Sequence, residues 1–406
     1  MRGSGFGAVF GGAVAVLLTI STVHQLGTGL VLALVPMRLA IEGFPAWVAG
    51  AMSASFSLGF IAGCLAAPQM VSRVSARAAI AACALVNAGC AVLLWAFPDP
   101  LAWCAARLIG GYFIAALWVV IEAWLGARTS VGNRGTVFGA YMLTNRVSFV
   151  LVQAALVWAD PRLGALFLLA AAFYAVAWLP AFATGDKPPS IPRRSLLRGL
   201  LAFPRQAPAA AAGALVHGLV TASQPALFPI YGVGLGLGMD RVALGLAAIQ
   251  FGGMVLQLPL AFASDRWGRR RVMAYAALAT AALSLAALNA PAGAPFLFLA
   301  LIAAWGGAPA VIYSIAIAHA NDRAADDQRV AASSALLMSW GVGATIGPMV
   351  VSLGMDLFGP GALFVFTAAL GAALALYLGW RRLVRRPPAE RKPVAATLTA
   401  PADLGR

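Results

Sequence analysis

The sequence predicts an all-α membrane protein with twelve transmembrane helices in two pseudo-symmetric six-helix bundles. Three observations predict it: an apolar composition, twelve apolar segments and an internal repeat. Of the 406 residues, 62% are hydrophobic and 10% are charged, whereas soluble domains carry about 25% charged residues. Lipid is the solvent that suits such a chain. Because backbone in hydrocarbon must satisfy its own hydrogen bonds, and strand-like alternation is missing, we expect helices.

A spanning helix needs about 20 mainly apolar residues, and twelve segments of the chain meet this requirement. They cover residues 6–36, 46–67, 78–97, 101–127, 135–158, 164–182, 208–230, 242–263, 272–288, 295–318, 330–353 and 361–380. We therefore predict an N-terminal bundle over 1–182 and a C-terminal bundle over 208–382. A basic, proline-containing linker over 183–207 should connect them, and a basic, disordered tail should occupy 383–406.

The formal net charge of +15 could indicate nucleic acid, but the basic residues lie in short clusters between apolar segments, without a basic-aromatic patch. Nearly all of them fall in loops on the side of the N-terminus. The opposite loops carry Arg38, Arg162 and Arg241. Cytoplasmic loops are enriched in Lys and Arg, so we predict a multi-pass protein of a bacterial-type inner membrane with both termini cytoplasmic. The four cysteines lack metal-binding spacing, so no metal site is expected.

An offset of 193 residues aligns the two halves of the chain from the first helix through the loop after the second. The matched pairs include His24 with His217, Pro36 with Pro229, Arg73 with Arg266 and Arg77 with Arg270. The histidine pair carries the most weight, because the chain has only 3 His. Parallel repeats related by an axis along the membrane normal are a known transporter architecture.

The loop over residues 264–271 reads Ser-Asp-Arg-Trp-Gly-Arg-Arg-Arg and resembles the loop signature of the major facilitator superfamily. An acidic helix end beside basic loop residues can form a charged latch at the membrane surface. The predicted latch residues are Asp265, Arg266, Gly268, Arg269 and Arg270.

The first-half counterpart of this loop, residues 72–77, keeps Arg73 and Arg77 but lacks the aspartate and the glycine. It is either a weaker latch or an anchor of positive charge. We expect Glu122 to serve this loop, together with Arg77 or Arg134.

Helix four and the residues after it, 107–122 and 133–142, together with Gln257-Leu258-Pro259 and residues 343–348, resemble the YcaD-like branch of the same superfamily. The resemblance covers nearly the whole chain. It implies the twelve-helix fold of the superfamily, a substrate cavity between the halves and alternating access. It does not supply a substrate.

Two arginines lie inside predicted helices, where ionisable residues usually mark functional sites. Arg107 should lie about 9–12 Å from the outer end of helix four, and Arg146 about 15–18 Å from the inner end of helix five. The resemblance places helix four on the cavity. An always-charged guanidinium at such depth needs an anionic partner, water or a substrate. Both are candidate substrate-binding residues, with a structural ion pair or carbonyl contact as the alternative for Arg107.

The paired His24 and His217 are candidates for proton coupling, because histidine changes charge near physiological pH. The alternative is a neutral histidine hydrogen-bonded between helices, to Gln25 or Gln224. Tyr112 and Tyr313 are further candidates for the cavity wall. These residues complete the candidate substrate site.

The function favoured by these patterns is secondary active transport of a small solute, with a polar or anionic metabolite preferred because of the two arginines and protons as a candidate coupling ion. Drug efflux by proton antiport is the alternative, although helix five lacks the Gly-Pro motif common in such antiporters. A membrane-embedded enzyme would need a grouped acid, base or nucleophile, and the sequence shows none. Since no phosphate-binding loop occurs, no cofactor is expected. The expected partners are the solute, protons and lipid, with a monomer as the simplest state.

Overall fold

The computed structural model describes residues 11–129, 133–183, 207–290, 294–322 and 329–384. These residues form twelve long helices and contain no strand, which confirms the predicted all-α class. The first half contains α1 (Gly12–Ile41), α2 (Ala46–Arg73), α3 (Ala76–Ala96), α4 (Pro100–Arg128), α5 (Arg134–Ala155) and α6 (Ala165–Ala177). The second half contains α7 (Pro208–Gly234), α8 (Met239–Trp267), α9 (Arg269–Leu288), α10 (Pro295–Asn321), α11 (Arg329–Phe358) and α12 (Ala362–Val384). Short 3₁₀ segments, Leu156–Trp158 and Leu179–Ala183, follow α5 and α6.

Eleven helical segments in the described part of the chain are long and apolar enough to cross a membrane. The twelfth helix, α7, is long enough at 27 residues but is not apolar enough. It carries four polar residues, His217, Thr221, Ser223 and Gln224. These polar residues lower its hydropathy. A helix shielded by its neighbours does not need the apolar surface that a lipid-exposed helix needs.

Several helices extend beyond the predicted apolar segments. The first runs through Pro36 to Ile41, and α2 and α8 continue to Arg73 and Trp267. Apolarity reports only the hydrocarbon thickness, so the polar ends of these helices were not predicted. The predicted linker and basic tail lie almost entirely in 184–206 and 385–406, outside the described residues.

Close helix contacts within each half depend on glycine. A Cβ added at Gly59 of α2 would meet the carbonyl oxygen of Leu108 in α4, and one at Gly252 of α8 would meet that of Ala303 in α10. Gly59 and Gly252 are paired by the 193-residue offset. Small residues allow helix backbones to approach in membranes. Each half therefore has a glycine at the equivalent position, where two helices pack closely.

We name the two sides of the molecule by their loops. The basic side carries the loops α2–α3 and α8–α9, and the opposite side carries the loops α1–α2 and α7–α8. On the opposite side, one apolar cluster joins residues of both halves, from Leu30 and Met52 to Phe228 and Phe364. On the basic side, each half has its own separate cluster. The halves are therefore packed together at the opposite side and form independent cores at the basic side.

Contacts between the halves run mainly along two helix pairs, α2 with α11 and α5 with α8, and α1 also meets α7. Midway along α2, the Ser57 hydroxyl donates to the backbone oxygen of Ala344 in α11, 3.1 Å away. The rings of Phe60 in α2 and Trp340 in α11 lie edge to face with centroids 5.6 Å apart. These pairs form the walls of a central path.

Candidate functional site

A cavity of about 180 Å³ lies between the two halves, in the part of the path nearer the opposite side. It takes walls from α1, α2, α4, α7 and α11. The lining residues are Leu32, Val35, Pro36, Leu39, Ala49, Met52, Ser53, Phe56, Ser57, Arg107, Thr221, Ala222, Pro225, Ala226, Trp340 and Ala344. Because both halves supply walls, a bound solute would touch both of them.

Arg107 supplies the charge in this cavity. It is 7% exposed, and its guanidinium carbon lies 4.3 Å from the centre of the Phe56 ring. The ion pairs among the described residues involve Arg38 and Arg269, and none includes Arg107. An aromatic face stabilises a cation without neutralising it. The cavity therefore contains an uncompensated positive charge.

Arg146 lies deeper along the path, toward the basic side. A Cβ added at Gly253 in α8 would lie 3.0 Å from a terminal guanidinium nitrogen of Arg146 in α5, so this side chain crosses from one half to the other. It is about 18 Å from the start of α5, by the rise of 1.5 Å per residue. Its charge also acts on His217 of α7. Arg146 of the first half and His217 of the second half therefore lie within electrostatic range of each other.

His217 connects the cavity to α10. Its Nδ1 lies 2.8 Å from the backbone oxygen of Pro309, and its ring stacks on Tyr313 with centroids 5.4 Å apart. Its own carbonyl accepts a hydrogen bond of 2.7 Å from Thr221, which lines the cavity. His217 and Tyr313 therefore lie one helical turn further along the path than the cavity.

His24 occupies a different environment from its sequence counterpart. It is 1% exposed, its Nε2 lies 3.3 Å from the amide nitrogen of Asn87 in α3, and its ring centroid is 4.7 Å from that of Tyr174 in α6. These contacts place it inside the first bundle and away from the path. The predicted equivalence of the two histidines holds for their depth but not for their surroundings.

Gln224 of α7 hydrogen-bonds to the backbone of α10. Proline lacks the N–H that would bond the carbonyl four residues earlier, so Pro309 leaves the backbone oxygen of Trp305 without its helical partner. The side-chain amide of Gln224 donates to that oxygen at 2.9 Å. We predicted a hydrogen bond between Gln224 and His217, but the structure shows Gln224 bonded to the backbone of α10.

Gln25 and Tyr112 also lie apart from the cavity lining. The neighbours of Gln25 one turn away, Ser21 and Gly29, both face α5, so Gln25 lies on the α1–α5 contact, where it is 1% exposed. Tyr112 pairs its ring with Phe113, with centroids 5.0 Å apart. Neither residue is among those lining the cavity.

Two of the predicted latch residues of the second half, Asp265 and Arg269, lie in one charged cluster. Arg269 pairs with Asp265 and lies 3.3 Å from a carboxylate oxygen of Asp322 at the end of α10. It also donates to the Ser264 hydroxyl at 2.9 Å. Gly268 has a φ of 90°, which favours glycine. This cluster ties α8, α9 and α10 together within one half, whereas the side chain of Arg266 is exposed.

The corresponding residues of the first half differ from those of the second half. Thr129 follows α4 where Asp322 follows α10, and Ser75 caps α3 through the backbone N–H of Ala78, 3.2 Å away. Arg73 is exposed at the end of α2. Glu122 instead meets the Tyr141 hydroxyl of α5. Glu122 thus contacts α5 of its own bundle, and its role beside Arg77 or Arg134 stays a prediction.

A contact that our sequence reasoning missed joins the halves at the opposite side. The carboxylate of Asp356 in α11 accepts hydrogen bonds from the backbone N–H groups of Ala46 and Trp47, at 2.7 and 2.9 Å. These N–H groups begin α2, whose N-cap is Pro45, a residue without a capping side chain. A carboxylate is a favourable partner at a helix N-terminus. The uncapped start of α2 was the available signal, although it did not identify the partner.

Comparisons with known proteins agree with this architecture. The sequence profile of the Major Facilitator Superfamily matches residues 209–404. The uncharacterized MFS-type transporter YE1530 of Yersinia enterocolitica is 29% identical over 377 residues, covering 89% of this chain and 93% of that protein. The MFS-type transporter YcaD of Escherichia fergusonii is 27% identical over 347 residues, covering 85% of this chain and 89% of that protein.

Solved structures show the same fold. A mutant of the nucleoside transporter NupG aligns with a TM-score of 0.80 at 14% identity, covering 91% of this chain and 99% of that chain. A bacterial homologue of the human lysosomal transporter Spinster, inward-facing and occupied, aligns with a TM-score of 0.72 at 14% identity, covering 93% and 98%.

These comparisons support a multi-pass membrane transporter rather than an enzyme. The resemblance of the chain to the major facilitator superfamily and to its YcaD-like branch is confirmed.

Proposed function

We propose that the protein is a secondary transporter that moves a small anionic solute along the path between its halves by alternating access. The observation that carries the proposal is the pair of arginines on this path, of which Arg107 is buried and Arg146 is partly buried. Arg107 lies in the cavity, and Arg146 reaches across to α8. Neither belongs to an ion pair among the described residues.

A guanidinium at this depth favours an anionic ligand. Charged groups in the membrane interior are costly unless they are paired or hydrated, and a guanidinium binds carboxylates and phosphates well. A cationic drug would be repelled by both arginines. This charge distribution supports anion transport over the drug-efflux alternative.

Alternating access is supported by how the apolar clusters are divided. One cluster joins the halves at the opposite side, whereas separate clusters form at the basic side. Rocking one bundle against the other can open the joined side without disrupting either separate core. This division resembles the general mechanism of repeat-based transporters.

The proposed orientation places the basic side in the cytoplasm of a bacterial inner membrane. The excess of Lys and Arg in the loops of that side supports it, as do the bacterial relatives. One chain contains both walls of the path, so we propose a monomer as the working unit. Protons are the proposed coupling ion, and His217 is the proposed carrier because it lies one helical turn from Thr221 of the cavity.

The test is solute uptake by proteoliposomes containing the purified protein. Arg146→Gln should abolish uptake of a transported anion while leaving membrane insertion and the melting temperature unchanged. Arg241→Gln is the matched control, because it removes an exposed arginine at the start of α8. Wild-type uptake by the Arg146 variant, or selective uptake of cations by the native protein, would refute the proposal.

A further inference from the structure

The cavity combines one charged group with mainly apolar walls. Arg107 is its only charged lining residue, and its hydroxyl groups belong to Ser53, Ser57 and Thr221. Two of these hydroxyls already donate to backbone oxygens: Ser57 at 3.1 Å and Thr221 at 2.7 Å. The guanidinium is therefore the principal donor that a ligand can meet in this cavity.

The contact of Arg107 with Phe56 keeps those donors available. A carboxylate partner would neutralise the guanidinium and occupy its N–H groups, whereas the π face of Phe56 stabilises the charge at 4.3 Å without accepting conventional hydrogen bonds. The planar guanidinium can form two parallel hydrogen bonds with one carboxylate. The site thus fits a single anionic group supplied by the ligand.

The remaining walls fit an apolar body. They include Met52 and Phe56 from the first half and Pro225 and Trp340 from the second. The volume is about 180 Å³, and an apolar protein cavity of roughly 150 Å³ is large enough to bind benzene. One six-membered ring with a short anionic substituent therefore matches the available space.

We propose that this cavity binds a small monoanion with an apolar body, of the class of single-ring aromatic carboxylates. The carboxylate binds Arg107, and the ring lies between the α2 wall at Met52 and the α11 wall at Trp340. This inference rests on the proposed function and narrows its substrate from anions in general to amphipathic monoanions. A polar dianion fits poorly, because the cavity offers one cation and few free donors.

Binding to the purified full-length protein tests this chemistry with four probes. Benzoate has the proposed features, benzamide is its neutral analogue, benzylamine carries the opposite charge, and succinate is a dianion without a ring. We expect benzoate to bind about 10- to 100-fold more tightly than benzamide, which corresponds to a hydrogen bond with a charged group. Benzylamine and succinate should bind more weakly still. Tighter binding of succinate than of benzoate would overturn the inference.

Two variants separate the charge from the shape of the site. Arg107→Gln should bring the benzoate-to-benzamide affinity ratio close to one, whereas Ala222→Leu should fill the cavity and weaken both ligands without changing their ratio. Arg241→Gln should behave as the native protein. An unchanged ratio in the Arg107 variant, or unchanged affinities in the Ala222 variant, would place the binding site elsewhere.

Uptake measurements distinguish failure of this inference from failure of the proposed function. If benzoate binds through Arg107 but is not moved across the membrane, the binding inference stands and the transport proposal fails. If another anion is moved with dependence on Arg146 while benzoate neither binds nor competes, the transport proposal stands and this inference fails.

Discussion

At the residue scale, two histidines at equivalent positions of the two halves have different surroundings. His24 and His217 are related by the 193-residue offset. His24 lies among Asn87 and Tyr174 inside the first bundle, whereas His217 lies beside Arg146 and Tyr313 on the path. A group that couples protons to transport must be reached from the path. The structure therefore favours His217 alone for that role.

This asymmetry gives a testable prediction. His217→Gln should remove the stimulation of uptake by a pH gradient, because glutamine keeps a polar side chain but cannot carry a proton. His24→Gln is the matched control and should retain the stimulation, with any loss confined to stability. Uptake by proteoliposomes with and without an imposed pH gradient is the measurement. A response that persists in the His217 variant would exclude this histidine from coupling.

At the element scale, the start of α2 depends on the other half of the molecule. Its N-cap is Pro45, and two of its first N–H groups are bonded by Asp356 of α11. These bonds must break if α2 and α11 separate at the opposite side. The contact thus stabilises the arrangement in which that side is joined.

Replacing Asp356 should shift the molecule toward the arrangement open at the opposite side. Loss of a helix cap costs about 1 kcal/mol, so Asp356→Ala should increase the open population roughly fivefold. Asp240→Ala is the matched control, because Asp240 lies in the first turn of α8 without bridging two halves in the described contacts.

The measurement is the rate at which a membrane-impermeant maleimide labels a cysteine introduced at Ser352, which is buried beside Gly50. The four native cysteines are replaced first. Faster labelling in the Asp356 variant and an unchanged rate in the Asp240 variant are expected. Equal rates in all three proteins would show that the cap does not hold the halves together.

At the scale of the whole molecule, transport by alternating access requires the halves to move apart at the opposite side. A covalent link there should stop it. A Cβ added at Gly50 in α2 would lie 3.0 Å from the Cβ of Ser352 in α11. Disulfides usually join Cβ atoms about 3.5–4.5 Å apart, and a Cβ at Gly50 would also lie 2.7 Å from the backbone oxygen of Pro348. The bond therefore requires α2 and α11 to move slightly apart at this point.

We expect the double variant Gly50→Cys and Ser352→Cys, with the native cysteines replaced, to lose uptake when oxidised. Reduction should restore uptake, since the substitutions leave Arg107 and Arg146 in place. Each single-cysteine variant serves as a control that cannot form the bond. Full uptake by the oxidised double variant would indicate a passage that does not require separation of α2 from α11.

The twelve helices were predictable, because a helix in lipid must bond its own backbone and eleven of the twelve are apolar enough to span a membrane. The position of Arg146 along α5 was also predictable, because a helix rises by about 1.5 Å per residue. The length and composition of a helix are properties of its own segment of sequence, so they can be predicted without knowing which helices are its neighbours. In the same way, the charged loop at Asp265 and Arg269 was recognisable from its local sequence.

Only the tertiary structure decided which side chains face the path. Rotation of a helix about its axis is set by packing against its neighbours, and no local pattern reports it. For this reason the sequence by itself predicted that His24 and His217 are equivalent, but not that only His217 lies within electrostatic range of Arg146. Likewise, Asp356 and the start of α2 are distant in sequence, and the helix packing of the two halves brings them together.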